Sequence, residues 1–235
     1  MSALDYRRFG DGAQLAEALA GAIADDLAHA IAERGQALLA VSGGRTPQRF
    51  LQTLSMQPVD WSKVVVTLVD ERWVPPTDAR SNETFVRANL LQGRAAAARF
   101  VPLYEAGAAA PEDGMPAVTA RVAMLDLPFD ALVLGMGEDG HTASFFPDGD
   151  HLAEATDPKT DAVVLPMRAP GAGEPRITLT LPVILDSRAI YLHIEGERKR
   201  EVLENARYVA ATNRAWPISA VLRNAHAPVK VYWCP

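Results

Sequence analysis

The chain has 235 residues, of which 49% are hydrophobic and 22% are charged, and its formal net charge is −6. This composition is typical of a globular protein and excludes a disordered or collagen-like chain. The acidic balance argues against nonspecific binding to nucleic acid or to an anionic membrane. An anionic ligand would therefore need a local cluster of donors. The single cysteine, Cys234, excludes an intrachain disulfide.

The first part of the chain predicts a helix, with no export signal and no membrane span. Apolar residues recur every four positions from Leu15 to Ile31, and Gly35 predicts the end of this helix. The Ala-rich stretch 13–32 also carries acidic residues, which excludes a transmembrane helix. Because residues 1–12 lack the apolar run of a secretory signal, we expect a cytoplasmic protein.

Short apolar runs alternate with polar and helical segments along the rest of the chain. Continuous apolar strands need cover on both faces, so this alternation predicts an α/β fold in three layers, with a mostly parallel central sheet covered by helices on both faces. Strands are predicted over 36–41, 63–69, 129–136, 162–165, 176–181, 189–194 and 229–233. Helices are predicted after Pro47, from Ser81 and over 197–209, and loops over 70–76, 105–116, 147–158 and 168–175.

Three polar segments, two of them rich in glycine, directly follow predicted strands, at 42–46, 70–72 and 135–142. Ligands of such folds bind beyond the carboxyl ends of the strands, so we expect these segments to meet at one edge of the sheet. Glycines before a helix N-terminus favour an anion in the first segment, although a tight turn that binds nothing would look the same. Arg176 and Lys199 are further candidates for anion binding, with solvated surface cations as the alternative for Lys199.

The segment 135–142 carries an acid and a histidine, Asp139 and His141, among three glycines. Histidine can act as a base near neutral pH, and a nearby carboxylate can fix its tautomer. A structural histidine is the common alternative. A metal site is disfavoured, because the other four histidines show no ligand spacing with His141.

Taken together, these segments resemble the 6-phosphogluconolactonase family. The resemblance covers nearly the whole chain and rests on SGGRTP at 42–47, DERWVPPTDARSN at 70–82, GMGEDGHTASFFP at 135–147, PRITLTLP at 175–182 and GERK at 196–199. It implies one Rossmann-like catalytic domain over 1–235, without cofactor or metal. It also implies hydrolysis of 6-phospho-D-glucono-1,5-lactone to 6-phosphogluconate, the second step of the oxidative pentose phosphate pathway.

The residues and the resemblance together give a hypothesis for the site. His141 would be the general base on water, Asp139 would orient the loop or only cap its turn, and Arg72 or loop N–H groups would stabilise the oxyanion. The substrate phosphate would be bound by a larger set of residues: Ser42, Gly43, Gly44, Thr46, Arg176 and Lys199.

Two alternatives stay open at this point. One is a glucosamine-6-phosphate deaminase or isomerase, whose related loop has an acidic residue before its proline where this chain has Phe146. The other is a non-enzymatic sugar-phosphate sensor, which would normally carry a helix-turn-helix module that the sequence lacks. The expected ligand is a small sugar-phosphate lactone, with neither nucleic acid nor membrane as a partner, and we expect a monomer or a small homo-oligomer.

Overall fold

The structure is a computed structural model that describes residues 4–44, 46–208 and 216–235. Strands and helices alternate over most of it. The strands are β1 (Leu4–Arg8), β2 (Ala37–Val41), β3 (Val64–Leu68), β4 (Asp70–Arg72), β5 (Arg99–Phe100), β6 (Ala131–Leu134), β7 (Val164–Met167), β8 (Arg176–Leu179), β9 (Ile190–Glu195) and β10 (Val229–Cys234). The helices are α1 (Gly12–Arg34), α2 (Gln48–Ser55), α3 (Asn82–Asn89), α4 (Pro111–Ala123), α5 (Leu152–Ala155), α6 (Leu181–Leu185), α7 (Glu197–Tyr208) and α8 (Ile218–Asn224).

Seven strands form the central sheet, in the order β1-β10-β9-β6-β2-β3-β5, and neighbouring strands run parallel. Every residue of β2, β3 and β6 is buried, as expected for strands that are covered on both faces. The predicted layered α/β fold with a mostly parallel sheet is confirmed. Parallel pairing also brings the carboxyl ends of these strands to the same edge.

The long helix α1 forms where the periodic pattern predicts it. The Asp11 side chain accepts hydrogen bonds from the N–H groups of Ala13 and Gln14 and so caps its N-terminus. Gly35 ends the helix with a φ of 80°, a left-handed conformation that glycine adopts without steric cost. No helix among the residues that the structure describes is both long and apolar enough to cross a bilayer.

A second, smaller sheet corrects two of the predictions. The polar residues 70–72, predicted as part of a loop, form strand β4, which pairs antiparallel with β8, and β8 pairs antiparallel with β7. Their strand conformation comes from pairing with a distant strand, which no local pattern shows. The predicted strand 176–181 ends at Leu179, because the chain turns into α6, where Pro182 suits the first turn.

The predicted loop over 105–116 is wrong from Pro111 onwards, where helix α4 begins. A proline fits the first helical position, and the Asp113 carboxylate accepts a hydrogen bond from the Ala110 N–H at 3.1 Å. The predicted loop over 147–158 likewise contains the short helix α5. Strands β1 and β5 and helix α8 had not been predicted, and Val209, the last residue of the predicted helix 197–209, lies outside the described residues.

Candidate active site

The polar segments that follow β2, β3 and β6 meet at the carboxyl edge of the central sheet, as predicted. Ser42 joins two of them, because its N–H and its hydroxyl both donate to the Val133 carbonyl, at 3.1 and 2.9 Å. The Ser42 hydroxyl also accepts a hydrogen bond from the Gly135 N–H at 3.2 Å. Hydrogen bonds therefore connect the first residues of the two glycine-rich segments.

These segments enclose a cavity of about 290 Å³. Its wall contains all but one of the residues that the sequence suggested for the site, namely Ser42, Gly43, Gly44, Thr46, Arg72, His141, Arg176 and Lys199. The exception, Asp139, contacts His141. Among the described residues, no group of three His, Cys, Asp or Glu side chains is arranged to hold a metal ion.

His141 and Asp139 form a hydrogen-bonded pair. The imidazole Nδ1 lies 2.6 Å from Asp139 Oδ1, which also accepts a hydrogen bond from the His141 N–H at 3.1 Å. Burial opposes ionisation of Asp139, but the hydrogen bond and the charge of His141 outweigh it and lower the pKa of the carboxyl. An ionised Asp139 needs a proton on Nδ1, which leaves a lone pair on Nε2 that can accept a proton.

Lys199 supplies a half-buried cation to the cavity wall. Its Nζ lies 3.4 Å from Thr46 Oγ1, so α7 and the segment after β2 meet here. Burial lowers the pKa of Lys199, and the negative charges of Glu195 and Glu138 partly offset that effect. A partly desolvated ammonium is stabilised by an anion that enters the cavity.

Arg176 is a second cation of the cavity wall and is buried, with 9% of its surface exposed. Its Nη1 lies 3.7 Å from Asp70 Oδ2, and its Nη2 donates to the Ala172 carbonyl at 2.8 Å. Its buried Nε has no hydrogen-bond partner among the described residues. Burial lowers the pKa of Arg176, with the charge of Asp70 acting in the opposite direction.

The segment 70–82 contributes Asp70, Arg72 and Asn82 to the cavity wall. Arg72 Nη1 donates to the Arg80 carbonyl at 2.7 Å and to Asn82 Oδ1 at 2.8 Å. Asn82 in turn donates to the Asp70 carbonyl at 2.9 Å. A side chain on Gly43 would collide with the Asn82 amide, which explains the glycine at this position. Arg72 therefore fixes this wall as well as lining the cavity.

Glu71 is fully buried and holds the same segment together. Its carboxylate accepts hydrogen bonds from the N–H groups of Arg72, Asn82 and Glu83 and from the Ser81 hydroxyl, at 2.7 to 3.0 Å. Burial raises the pKa of Glu71 to about 7, while these four donors act to lower it.

Glu71→Gln should lower the free energy of unfolding by about 2–4 kcal/mol, because the new amide group would face donors that then lack an acceptor. Urea unfolding checks this. Glu201→Gln is the matched control, because Glu201 pairs with Arg198 on the exposed face of α7, where such an ion pair contributes little to stability. Equal losses in the two variants would contradict the role assigned to Glu71.

Cavity-wall residues that sequence reasoning did not assign to the site include Asn82, Phe146 and His193. His193 is buried within β9, and its Nε2 lies 3.0 Å from Glu195 Oε1. A histidine within the otherwise apolar run 189–194 was the available indication. Asn82 and Phe146 gave no such indication, because a helix-start asparagine and a phenylalanine have common structural uses.

Comparison with known proteins identifies the family. Residues 10–233 match the family model described as glucosamine-6-phosphate isomerases/6-phosphogluconolactonase. Similar curated proteins include the 6-phosphogluconolactonase of Mesorhizobium japonicum, with 54% identity over 98% of this chain and 95% of the relative, and that of Rhizobium meliloti, with 52% identity over 97% of each.

Solved structures agree with this assignment. The crystal structure of a 6-phosphogluconolactonase from Shewanella baltica superimposes with a TM-score of 0.93 at 41% identity, covering 99% of this chain and 98% of that one. The match therefore includes the sheet and the segments at its carboxyl edge. The chain belongs to the glucosamine-6-phosphate isomerase/6-phosphogluconolactonase family.

Proposed function

We propose that this enzyme hydrolyses 6-phospho-D-glucono-1,5-lactone to 6-phosphogluconate, with His141 as the general base. That the chain is a lactone-hydrolysing enzyme follows from its curated relatives at 52–54% identity. The observation that carries the mechanism is one cavity that contains an oriented imidazole together with two cations, the buried Arg176 and the half-buried Lys199. A sugar-phosphate ester needs both: a base for water and a site for the phosphate.

The phosphate end of the cavity would be formed by Gly43, Gly44 and Thr46, with Lys199 and Arg176 as the charged donors. Charge-assisted hydrogen bonds of this kind contribute about 1.5–3 kcal/mol each, which suits a dianion in a protein of net charge −6. Ser42 acts through its bonds to Val133 and Gly135, which hold the following glycines in place.

The chemical step would proceed by attack of water on the lactone carbonyl. His141 Nε2 takes a proton from the water as its oxygen bonds to the carbonyl carbon, and Asp139 stabilises the imidazolium that forms. Arg72 and loop N–H groups are proposed to stabilise the oxyanion. The bond between the carbonyl carbon and the ring oxygen then breaks, and the proton on Nε2 passes to that oxygen. The products are the ring-opened acid and a neutral His141.

A coupled assay tests the proposal. Glucose-6-phosphate dehydrogenase generates the lactone, and its disappearance is measured with and without this protein, because the lactone also opens unaided. Acceleration above the spontaneous rate supports the proposal, and its absence would refute it. Ammonia release from glucosamine 6-phosphate, measured in parallel, would instead indicate the deaminase alternative.

Lys199→Ala should raise KM about 10- to 100-fold and change kcat much less, because it removes one charge-assisted contact to the remote phosphate. Arg198→Ala is the matched control, since Arg198 occupies the same helix turn with 67% of its side chain exposed. A KM equal to that of the control would contradict the role of Lys199.

The same lysine predicts a pH dependence of binding. Because burial lowers the pKa of Lys199, this side chain loses its charge at a lower pH than an ordinary lysine, whose pKa is about 10.4. As the pH is raised, affinity for 6-phosphogluconate, measured by calorimetry, should therefore decline before a pH of about 10.4 is reached, and Lys199→Arg should remove this decline.

A further inference from the structure

The buried ring of Phe146 contacts two proposed functional groups at once. It stacks on the His141 imidazole with ring centroids 4.4 Å apart and planes inclined by 24°. The Arg176 guanidinium carbon lies 5.3 Å from the centroid of the same ring. Only 3% of Phe146 is exposed, so packing fixes the ring. Phe146 thus links the proposed base with an arginine proposed to bind the phosphate.

The stacked ring constrains the plane of the His141 imidazole, which the hydrogen bond to Asp139 does not fix by itself. The bond to Asp139 holds one ring atom, Nδ1, and still allows the imidazole to tilt about it. About a third of the His141 side chain is exposed, and water does not restrict that tilt. Since Nε2 must reach the attacking water, a flat face against the imidazole sets the direction of its lone pair.

The ring also suits the charges that the reaction creates. An aromatic face attracts cations, and a proton transferred from water makes His141 an imidazolium. Asp70 Oδ2 lies 3.7 Å from Arg176 Nη1. Phe146 and Asp70 therefore both help to keep Arg176 in place, while the same aromatic ring packs against the base.

We propose that Phe146 is a positioning residue that sets the plane of the His141 imidazole relative to Arg176. This inference rests on the proposed function, since it takes His141 as the base. Under this proposal, full activity requires an aromatic ring at position 146 in addition to the His141–Asp139 hydrogen bond.

Phe146→Leu tests the proposal, with Phe145→Leu as the matched control. Both phenylalanines are buried in the same loop, so both changes remove an aromatic ring from the core. Phe146→Leu should lower kcat about 10- to 100-fold with a smaller change in KM, whereas Phe145→Leu should leave kcat within about threefold. Phe146→Tyr, which keeps the aromatic face, should restore most of kcat. Melting temperatures would show whether the variants fold, and Phe146→Met replaces Phe146→Leu if the latter does not.

NMR gives a readout that does not depend on turnover. The His141 ring protons should be shielded by Phe146, and Phe146→Leu should shift them downfield while Phe145→Leu leaves them unchanged. Equal kcat in the two leucine variants, or unmoved His141 resonances, would overturn the positioning role. Failure of the proposed function is distinguishable, because the wild-type protein would then show no lactone hydrolysis.

Discussion

His141→Ala is expected to lower kcat by about 10²- to 10⁴-fold and to leave KM nearly unchanged. The loss corresponds to the removal of general-base assistance, since Asp139 holds the His141 imidazole by Nδ1 and leaves its Nε2 to take a proton from water. Binding is retained, because the phosphate contacts are made by other residues. Steady-state kinetics, corrected for spontaneous hydrolysis, measure both quantities.

His151→Ala provides the control for this prediction. His151 also pairs with a carboxylate, Glu154, at 3.4 Å, and 39% of its side chain is exposed, against 33% for His141. It lies at the N-terminus of α5, outside the cavity wall, and its removal should have no effect on kcat. A His141→Ala enzyme that hydrolyses the lactone at the wild-type rate would show that the base is another group.

Gly137→Ala is expected to lower kcat about 100-fold without unfolding the protein. A Cβ at position 137 would lie within 3.0 Å of both the His141 imidazole and the Asp139 carboxylate, and therefore forces this pair to move. A misplacement of about 1 Å can lower a rate by about two orders of magnitude. Kinetics and a melting curve check the two parts of this prediction.

A double mutant distinguishes displacement of the base from general damage to the loop. If Gly137→Ala acts by moving His141, it should reduce kcat little further once His141 is alanine, because residues that act as one unit are not additive. Independent, multiplicative losses in Gly137→Ala/His141→Ala would contradict this explanation.

The location of the site could be predicted because it depends on topology alone. Parallel strands end at one edge of a sheet, so the polar segments beginning at Ser42, Asp70 and Gly135 had to come close together. The sheet itself was readable because β2, β3 and β6 are continuous apolar runs. These features are local in the sequence.

The lateral contacts in the site could not be predicted, because they join residues that are distant in the chain. Ser144 donates a hydrogen bond to Asp70 across 74 positions, at 2.6 Å, and Asn82 fills the space left by Gly43. Strand β4 exists only through its pairing with β8. Phe146 is only five positions from His141, but the stacking of the two rings depends on the path of the loop between them and is known only from the folded chain.

The hydroxyl of Ser42, which fastens the ends of two adjacent strands, has a consequence for substrate choice. Neighbouring strands lie about 4.8 Å apart, and this separation is maintained by main-chain bonding rather than by flexible side chains. In the proposed binding mode, the segment after β2 would hold the phosphate and the segment after β6 would hold His141 near the carbonyl. The spacing of the two strands would then set the distance between the phosphate and the carbonyl. Discrimination between sugars of different carbon number would be built into the scaffold, and evolution of a new chain-length preference would require rebuilding the sheet edge.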